Sequence, residues 1–346
     1  MSTERVGFKD SLMKLIIPNS CVGCASCVVF CPVRCLEYSG RTPRLIGNCT
    51  DCGICFQVCP RCGPSTEEIE SSIFGRKRRT AEEFGIYKRI VIARTTDEKI
   101  RAKCQDGGVV SSILKAAFEE GLIDGAVVSC VSEEKPLMPI PKLVTTAEDA
   151  IRCAGTRYVY SPNLLAYREA LTKKLNAVAF VGTPCQIRAL RRLEMTSLKR
   201  YYSPLKLRVG LFCSESFTYE GLVEDGIRRK LGLDPARVKK VNIKGKIMVF
   251  TDEGELRFLS LRDAEKYVWN CSGCSDFSAE LADISAGGVG LEGWTLTIIR
   301  TDIGEDIFEM TEQRGLLEVR SIEDEPKAYK ILLSLSKKKH KRALHA

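Results

Sequence analysis

Residues 176–194 read NAVAFVGTPCQIRALRRLE, and this stretch decides the fold class. NAVAFVG has the short, continuous apolar pattern of a strand buried on both faces. The chain then turns at Gly182 and Thr183, and a helix is expected over 184–194. Pro184 suits its first turn, where a missing N–H costs nothing. The same alternation extends in both directions. Strands are expected at 90–94, 125–131, 205–214, 282–290 and 295–300, with helices over 108–121, 163–174 and 217–231. A hairpin is expected within 241–260, and two helical segments close the chain. The reading is an α/β domain with a mixed sheet. Three strands end in turns carrying cysteine or small polar residues: 181–186, 211–216 and 283–290. Strand ends are where α/β folds place ligands.

Ten of the 17 cysteines lie in the first 62 residues of this 346-residue chain. They form two copies of C-x2-C-x2-C-x3-C-P, at Cys21-Cys24-Cys27-Cys31-Pro32 and Cys49-Cys52-Cys55-Cys59-Pro60. This is the bacterial two-cluster ferredoxin run, in which the fourth cysteine ligates the other cluster. One 4Fe-4S cluster is therefore expected on Cys21, Cys24, Cys27 and Cys59, and a second on Cys49, Cys52, Cys55 and Cys31. Structural zinc uses C-x2-C pairs set further apart, and the two four-cysteine runs fit that poorly. The organisation expected is an α+β two-cluster ferredoxin domain over 1–64 and a charged, solvated linker over 65–88. An α/β cofactor domain over 89–335 and a basic tail over 336–346 follow. The ferredoxin part is expected to be a self-contained unit. Cys35, Cys62, Cys104, Cys130 and Cys153 receive no role beyond packing.

Composition narrows the function classes. Hydrophobic content of 44% and charged content of 28% exclude wholesale disorder. No apolar run reaches the roughly 18 residues of a membrane span. Asp10, Lys14 and Pro18 interrupt any signal-peptide core, so a cytoplasmic chain is expected. There the thiols point to metal or redox chemistry rather than a disulfide framework. The only histidines, His340 and His345, lie in the tail, which disfavours a histidine-centred hydrolase. The net charge of +9 comes without a nucleic-acid motif. The basic tail could meet an acidic partner subunit or an anionic membrane surface, with peripheral docking to a membrane complex as the second option. Cys271-Ser-Gly-Cys274 is ambiguous alone; with Cys185 and Cys213 at strand ends it could complete a third metal site, or all four could be single buried thiols.

The ordered set KCQDGGVVSSIL, GTRYVYSP, VGTPCQIRAL, GLFCSE, NIKGK, CSGCSDF and ADISAGGVG resembles the family of coenzyme F420 hydrogenase/dehydrogenase beta subunits over about residues 86–340. The ferredoxin run in front resembles the dehydrogenase F-subunit branch; the hydrogenase branch lacks it. The resemblance implies that Cys185, Cys213, Cys271 and Cys274 hold a third 4Fe-4S cluster beside an FAD. It implies FAD contacts at Gln105, Asp106, Gly107, Gly108 and Ser111, at Gly155, Thr156, Arg157 and Tyr158, and at Asp283, Ser285 and Gly287. Coenzyme F420, the anionic deazaflavin substrate, is expected to meet Lys244 and Lys246. No side chain is expected to act as acid or base, because hydride passes between stacked rings. FAD converts that hydride to single electrons, which the clusters relay to redox partner subunits or a free ferredoxin, in either direction. Three other readings stand beside this one. They are an F420-linked input module of a heterodisulfide reductase or formate dehydrogenase, a bilin- or chlorophyll-type reductase, and a non-catalytic iron–sulfur relay.

Overall fold

The computed structural model describes residues 6–345. Thirteen strands occur among them: β1 (Leu36–Ser39), β2 (Thr42–Leu45), β3 (Arg89–Thr95), β4 (Gly125–Val131), β5 (Pro139–Val144), β6 (Val178–Gly182), β7 (Leu205–Leu211), β8 (Val238–Ile243), β9 (Lys246–Thr251), β10 (Leu256–Ser260), β11 (Ile284–Gly287), β12 (Thr295–Ile299) and β13 (Leu317–Ser321). Eight form one sheet in the order β13-β3-β12-β11-β7-β6-β4-β5. The central strands β4, β6, β7 and β11 are parallel, with Ile284 beside Val209 and Gly182 beside Gly210. The flanking pairs β4–β5, β11–β12, β12–β3 and β3–β13 are antiparallel.

β6, Val178–Gly182, is buried along its whole length. Alternation across the pleat divides it between two cores. Val178 and Phe180 pack with Tyr167, Ile187 and Leu190, from the helices Leu164–Thr172 and Pro184–Glu194. Ala179 and Val181 face the opposite way, toward Ile113 and Phe308 of the helices Val109–Glu119 and Asp302–Gln313. Thr183 caps Pro184–Glu194 through a capping box with Gln186. Sequence reasoning missed β5 and β13. β5 carries Pro139 and Pro141, which only an edge strand accepts. A separate meander, β8–β9–β10, contains the expected hairpin.

Residues 65–88 are not a solvated linker. Ser65 and Glu68 form a capping box that starts the helix Thr66–Phe74, and Ile69 and Glu70 on it are fully buried. Arg78, expected on a wet face, bridges the buried carboxylates of Glu70 and Glu280, the latter at 2.6 Å. Arg300, itself 2% exposed, donates to the carbonyls of Phe84 and Ile86 at 3.1 and 2.9 Å. Arg78 looks solvated in sequence because one of its two buried partners lies 202 positions away.

The N-terminal part is equally integrated, against the expectation of a self-contained unit. Val22, Val29, Phe30, Ile54 and Val58 share one core with Tyr167 and Leu190. Phe30 meets Tyr167 and Tyr201 edge-on at 6.2 and 6.0 Å. Arg192 donates to the carbonyls of Cys59 and Pro64, Arg168 to that of Val28, and Asn270 to that of Cys21. Arg61 reaches back to the carbonyls of Gly273 and Asn270 at 2.5 and 2.6 Å.

The basic tail is no loose end. It continues the helix Pro326–Leu344, whose Ala328 and Leu332 enter the core. Among the described residues no helix is long and apolar enough to cross a membrane.

Candidate redox and cofactor site

The two cysteine runs adopt the same local geometry. Ala25 and Gly53 occupy equivalent positions in them, both left-handed, at φ 68° and 75°. Each starts a single helical turn, Ser26–Val29 and Ile54–Gln57, which carries the third cysteine of its run. Cys31, Cys49, Cys52 and Cys55 line one hollow, and Cys21, Cys24, Cys27 and Cys59 line another. The fourth cysteine of each run thus crosses to the hollow of the other. Cys35 also lines the first hollow, with its sulfur 3.6 Å from that of Cys31. Cys62 donates instead to the Phe56 carbonyl.

Cys185 stands on the first turn of Pro184–Glu194, after β6, and Cys213 two residues after β7. Parallel strands bring these positions to one sheet edge. Cys271 and Cys274 come to them on a turn closed by the Cys274 N–H donating to the Cys271 carbonyl at 3.2 Å. Burial, with the neighbouring Cys274 and Cys213 for Cys185 and Cys271 and Cys274 for Cys213, pushes both thiols up to about 11. Burial likewise pushes Cys55 up to about 12. Such crowded thiols ionise only when positive charge arrives among them. Among the described residues, no three His, Cys, Asp or Glu side chains close on a point as a single metal ion requires. A lone zinc would need its sulfurs about 2.3 Å from one centre. Thiols that ring a hollow suit a polynuclear cluster better. Tyr160 lies where the third quartet meets the second hollow: its hydroxyl is 3.8 Å from the Cys185 sulfur, and it also faces Cys24.

At the same sheet edge, the loop 104–108 is wedged between β3 and β12. A side chain on Gly107 would strike the Ala93 carbonyl at 2.5 Å, and the Gly107 N–H donates to Thr295 Oγ1. Gly108, left-handed at φ 74°, starts the helix Val109–Glu119, with Ser111 on its first turn. The Asp106 carboxylate fills the space a Cβ on Gly288 would need. Gly287 is pressed against Phe212, the neighbour of Cys213. Asp106, Gly288, Gly287, Phe212 and Cys213 therefore form a continuous line of contacts from the loop to the third thiol quartet.

Several groups around Asp106 are basic. Lys240 donates to the Gln105 carbonyl at 2.9 Å, and Gln105 Nε2 donates to the Val241 carbonyl at 3.0 Å. Burial raises the Asp106 carboxyl, while Lys240 and Lys244 pull it down. Tyr158 faces Asp106 and is raised by burial. Arg157 folds back onto the carbonyls of Cys153, Ala154 and Thr156, after the left-handed Gly155. Among the described residues its guanidinium pairs with no carboxylate, and its Nε is buried without a partner. A cation left in this condition fits an anionic ligand. Lys240 was missed because alternating strand lysines look like a solvated face.

Three expected contacts stand elsewhere. Asp283 precedes β11 at the opposite edge of the sheet, 1% exposed, with its oxygens taken by Arg191, Arg208 and Thr301. Ser285 is fully buried and accepts from Arg300 while donating to the Ala279 carbonyl. Lys246 sets its ammonium 3.5 Å over the Phe258 ring, away from Lys244, which faces Asp106. Thr156 is exposed. Cys130 and Cys153, left as core thiols by the sequence, are joined in a disulfide that ties β4 to the segment before Gly155.

The family model for the coenzyme F420 hydrogenase/dehydrogenase beta subunit N-terminal region matches residues 90–168, and that for its C terminus matches residues 175–325. The chain is 36% identical to the coenzyme F420 hydrogenase subunit beta of Methanococcus voltae over 260 residues, 74% of this chain and 92% of that protein. It is 32% identical to the F subunit of the F(420)H(2) dehydrogenase of Methanosarcina mazei over 309 residues, 86% of this chain and 84% of that one. The structure of the F420-reducing [NiFe] hydrogenase complex from Methanosarcina barkeri contains a chain 34% identical, with a TM-score of 0.73, covering 76% of this chain and 92% of its own length. By the extent of these matches, the chain belongs to the family of coenzyme F420 hydrogenase/dehydrogenase beta subunits.

Proposed function

We propose that this protein is the coenzyme F420-linked subunit of an oxidoreductase, of the reduced-F420-dehydrogenase type, carrying FAD and three 4Fe-4S clusters. The observation that carries the reading is the shared sheet edge. The glycine-lined loop at 104–108, with Lys240 and Lys244 beside it, and the quartet Cys185, Cys213, Cys271 and Cys274 touch through Gly287, Gly288 and Phe212. Bound at that loop, FAD would supply exchange of a hydride with coenzyme F420 and of single electrons with iron–sulfur sites.

The chain's own residues divide the work of holding it. Gly107 and Gly108 let the loop pack against β3 and β12, and the start of Val109–Glu119 offers its first-turn N–H groups to a pyrophosphate. Arg157 supplies the unpaired positive charge, and Ser111, Gly155 and Tyr158 complete the wall. Asp106 would repel a phosphate, so it suits a hydroxyl or ring N–H instead. Lys244 is the better of the two hairpin lysines for the anionic tail of F420. Cys21, Cys24, Cys27 and Cys59 hold the cluster nearer the third quartet, at Tyr160, while Cys31, Cys49, Cys52 and Cys55 hold the outer one. The N-terminal part is thus a two-cluster ferredoxin-like module, and a partner subunit or free ferredoxin exchanges electrons there.

Stopped-flow mixing of the holoprotein with reduced coenzyme F420, NADH and NADPH tests the activity. Rapid bleaching of flavin and cluster absorbance is expected with reduced F420 alone. Equally fast reduction by NADPH would displace F420 from the reading. Chemical analysis is expected to find about twelve iron and twelve acid-labile sulfur per chain, since four thiolates hold each cluster. Cys271→Ser is expected to lower both by about a third. An unchanged iron content in that variant removes the third cluster.

A further inference from the structure

The basic run Lys337-Lys338-Lys339-His340-Lys341-Arg342 is explained by no part of the chemistry above. Its members point in different directions. Lys337 pairs with Glu83 at 3.2 Å, and Arg342 with Glu215 and the Ser214 carbonyl, both at 2.8 Å. His340 stands 3.9 Å from Glu280. Lys339 alone turns inward: it is 5% exposed, and its ammonium donates to the backbone carbonyl of Cys213. The groups that face it are the thiols of Cys213, Cys271 and Cys274 and the carboxylate of Asp276. Asp276 is itself 3% exposed and accepts from the Glu280 N–H with both oxygens, at 3.2 Å each.

Burying an ammonium is costly unless opposite charge is close; Asp276 supplies one carboxylate, already shared with the Glu280 N–H. Four ligating thiolates would add more, because a cubane held by them carries net negative charge. The charge becomes more negative when the cluster takes up an electron. A fixed cation close by then stabilises the reduced form more than the oxidised form.

We propose that Lys339, delivered by the C-terminal helix, is the fixed cation of the Cys185–Cys213–Cys271–Cys274 site and raises its reduction potential. This rests on the reading that the quartet holds a cluster. The one electron that enters the site is given up by the reduced flavin, which is oxidised by one electron; Lys339 gives up no proton and forms no bond to iron. The charged tail thereby makes the third cluster an effective acceptor next to the flavin loop.

The test is an EPR-monitored redox titration of the holoprotein beside Lys339→Gln and Lys339→Arg. Glutamine can still donate to the Cys213 carbonyl but carries no charge; arginine keeps the charge. In the glutamine variant the reduced-to-oxidised ratio of the third cluster at a fixed poise is expected to fall about tenfold. That equals a shift of about 59 mV for one electron. The arginine variant should stay near the wild-type potential, and the signals of the two N-terminal clusters should move little in both. An unchanged potential in the glutamine variant overturns the proposal, and so does an arginine variant that shifts as far as glutamine. If glutamine cannot hold the cluster, the arginine variant decides: retained potential supports the charge role and a lowered one rejects it. Absence of a third signal in the wild-type protein would instead reject the cluster assignment, a different failure.

Discussion

A chain that begins at residue 65 is expected not to fold into a usable α/β domain, despite starting outside both cysteine runs. The truncation strips Val22, Val29, Phe30 and Val58 from a core they share with Tyr167, Phe180, Leu190 and Leu193. At about 1.5–3 kcal/mol for each large apolar side chain fully buried, these four represent about 10 kcal/mol. That is comparable to the whole stability of an ordinary domain. The same cut removes the Cys59 and Pro64 carbonyls that Arg192 requires. Burial already depresses that guanidinium to about 10, and 4% exposure leaves it little water. Expression of residues 65–346 should give aggregated protein, or a species that loses near-ultraviolet circular dichroism and binds a hydrophobic dye. A soluble, monodisperse fragment with retained flavin would show that the N-terminal part is only docked. Sequence reasoning expected the opposite, because two complete cysteine runs look self-sufficient when their apolar residues are not traced to a partner.

What was legible in the sequence follows from range. The β6–turn–helix unit declares itself within 19 residues, and the cysteine runs within 12 each, so local pattern sufficed for the inner strands of the sheet and for the crossed thiol hollows. The third quartet needed more than spacing, because Cys185, Cys213 and the Cys271–Cys274 turn meet only when parallel strands align their ends. The misreadings of charged residues are long-range. Arg78 finds Glu280, and Lys339 finds Cys213, across 202 and 126 positions. A run of basic residues carries no local mark of which member will be buried. Asp283 was misplaced for a related reason: it stands four residues before Gly287, and a strand separates the two edges of the sheet. Gly287 reaches the loop at Asp106, whereas Asp283 enters a buried cluster of arginines.

That cluster sets the second large effect. Asp283 accepts from Arg191 Nη2 at 2.7 Å, from the Arg208 N–H at 2.8 Å and from Thr301 Oγ1 at 2.9 Å. Glu194 holds the remaining faces of Arg191 and Arg208. Two cations and two anions balance, all inside the sheet's far edge. Asp283→Asn leaves the shape but removes one charge, so a guanidinium stays buried without compensation. The expected loss is about 3–5 kcal/mol of unfolding free energy, read from the shift in urea midpoint of variant against wild type. The pH dependence carries a second signature. Burial alone would raise the Asp283 carboxyl, yet Arg191 and Arg208 outweigh it and hold it below its ordinary value. The ion pair therefore stabilises the fold above the unfolded carboxyl value of about 3.9, and that contribution disappears as pH falls through the lower folded value. Below about pH 4 the wild type should approach the variant, and above it the gap should be constant. Flavin content of the folded fraction should be equal in the two proteins, because Asp283 lies at the edge opposite the Asp106 loop. A variant that is fully stable but loses its flavin would return Asp283 to the cofactor site and refute its assignment to the fold.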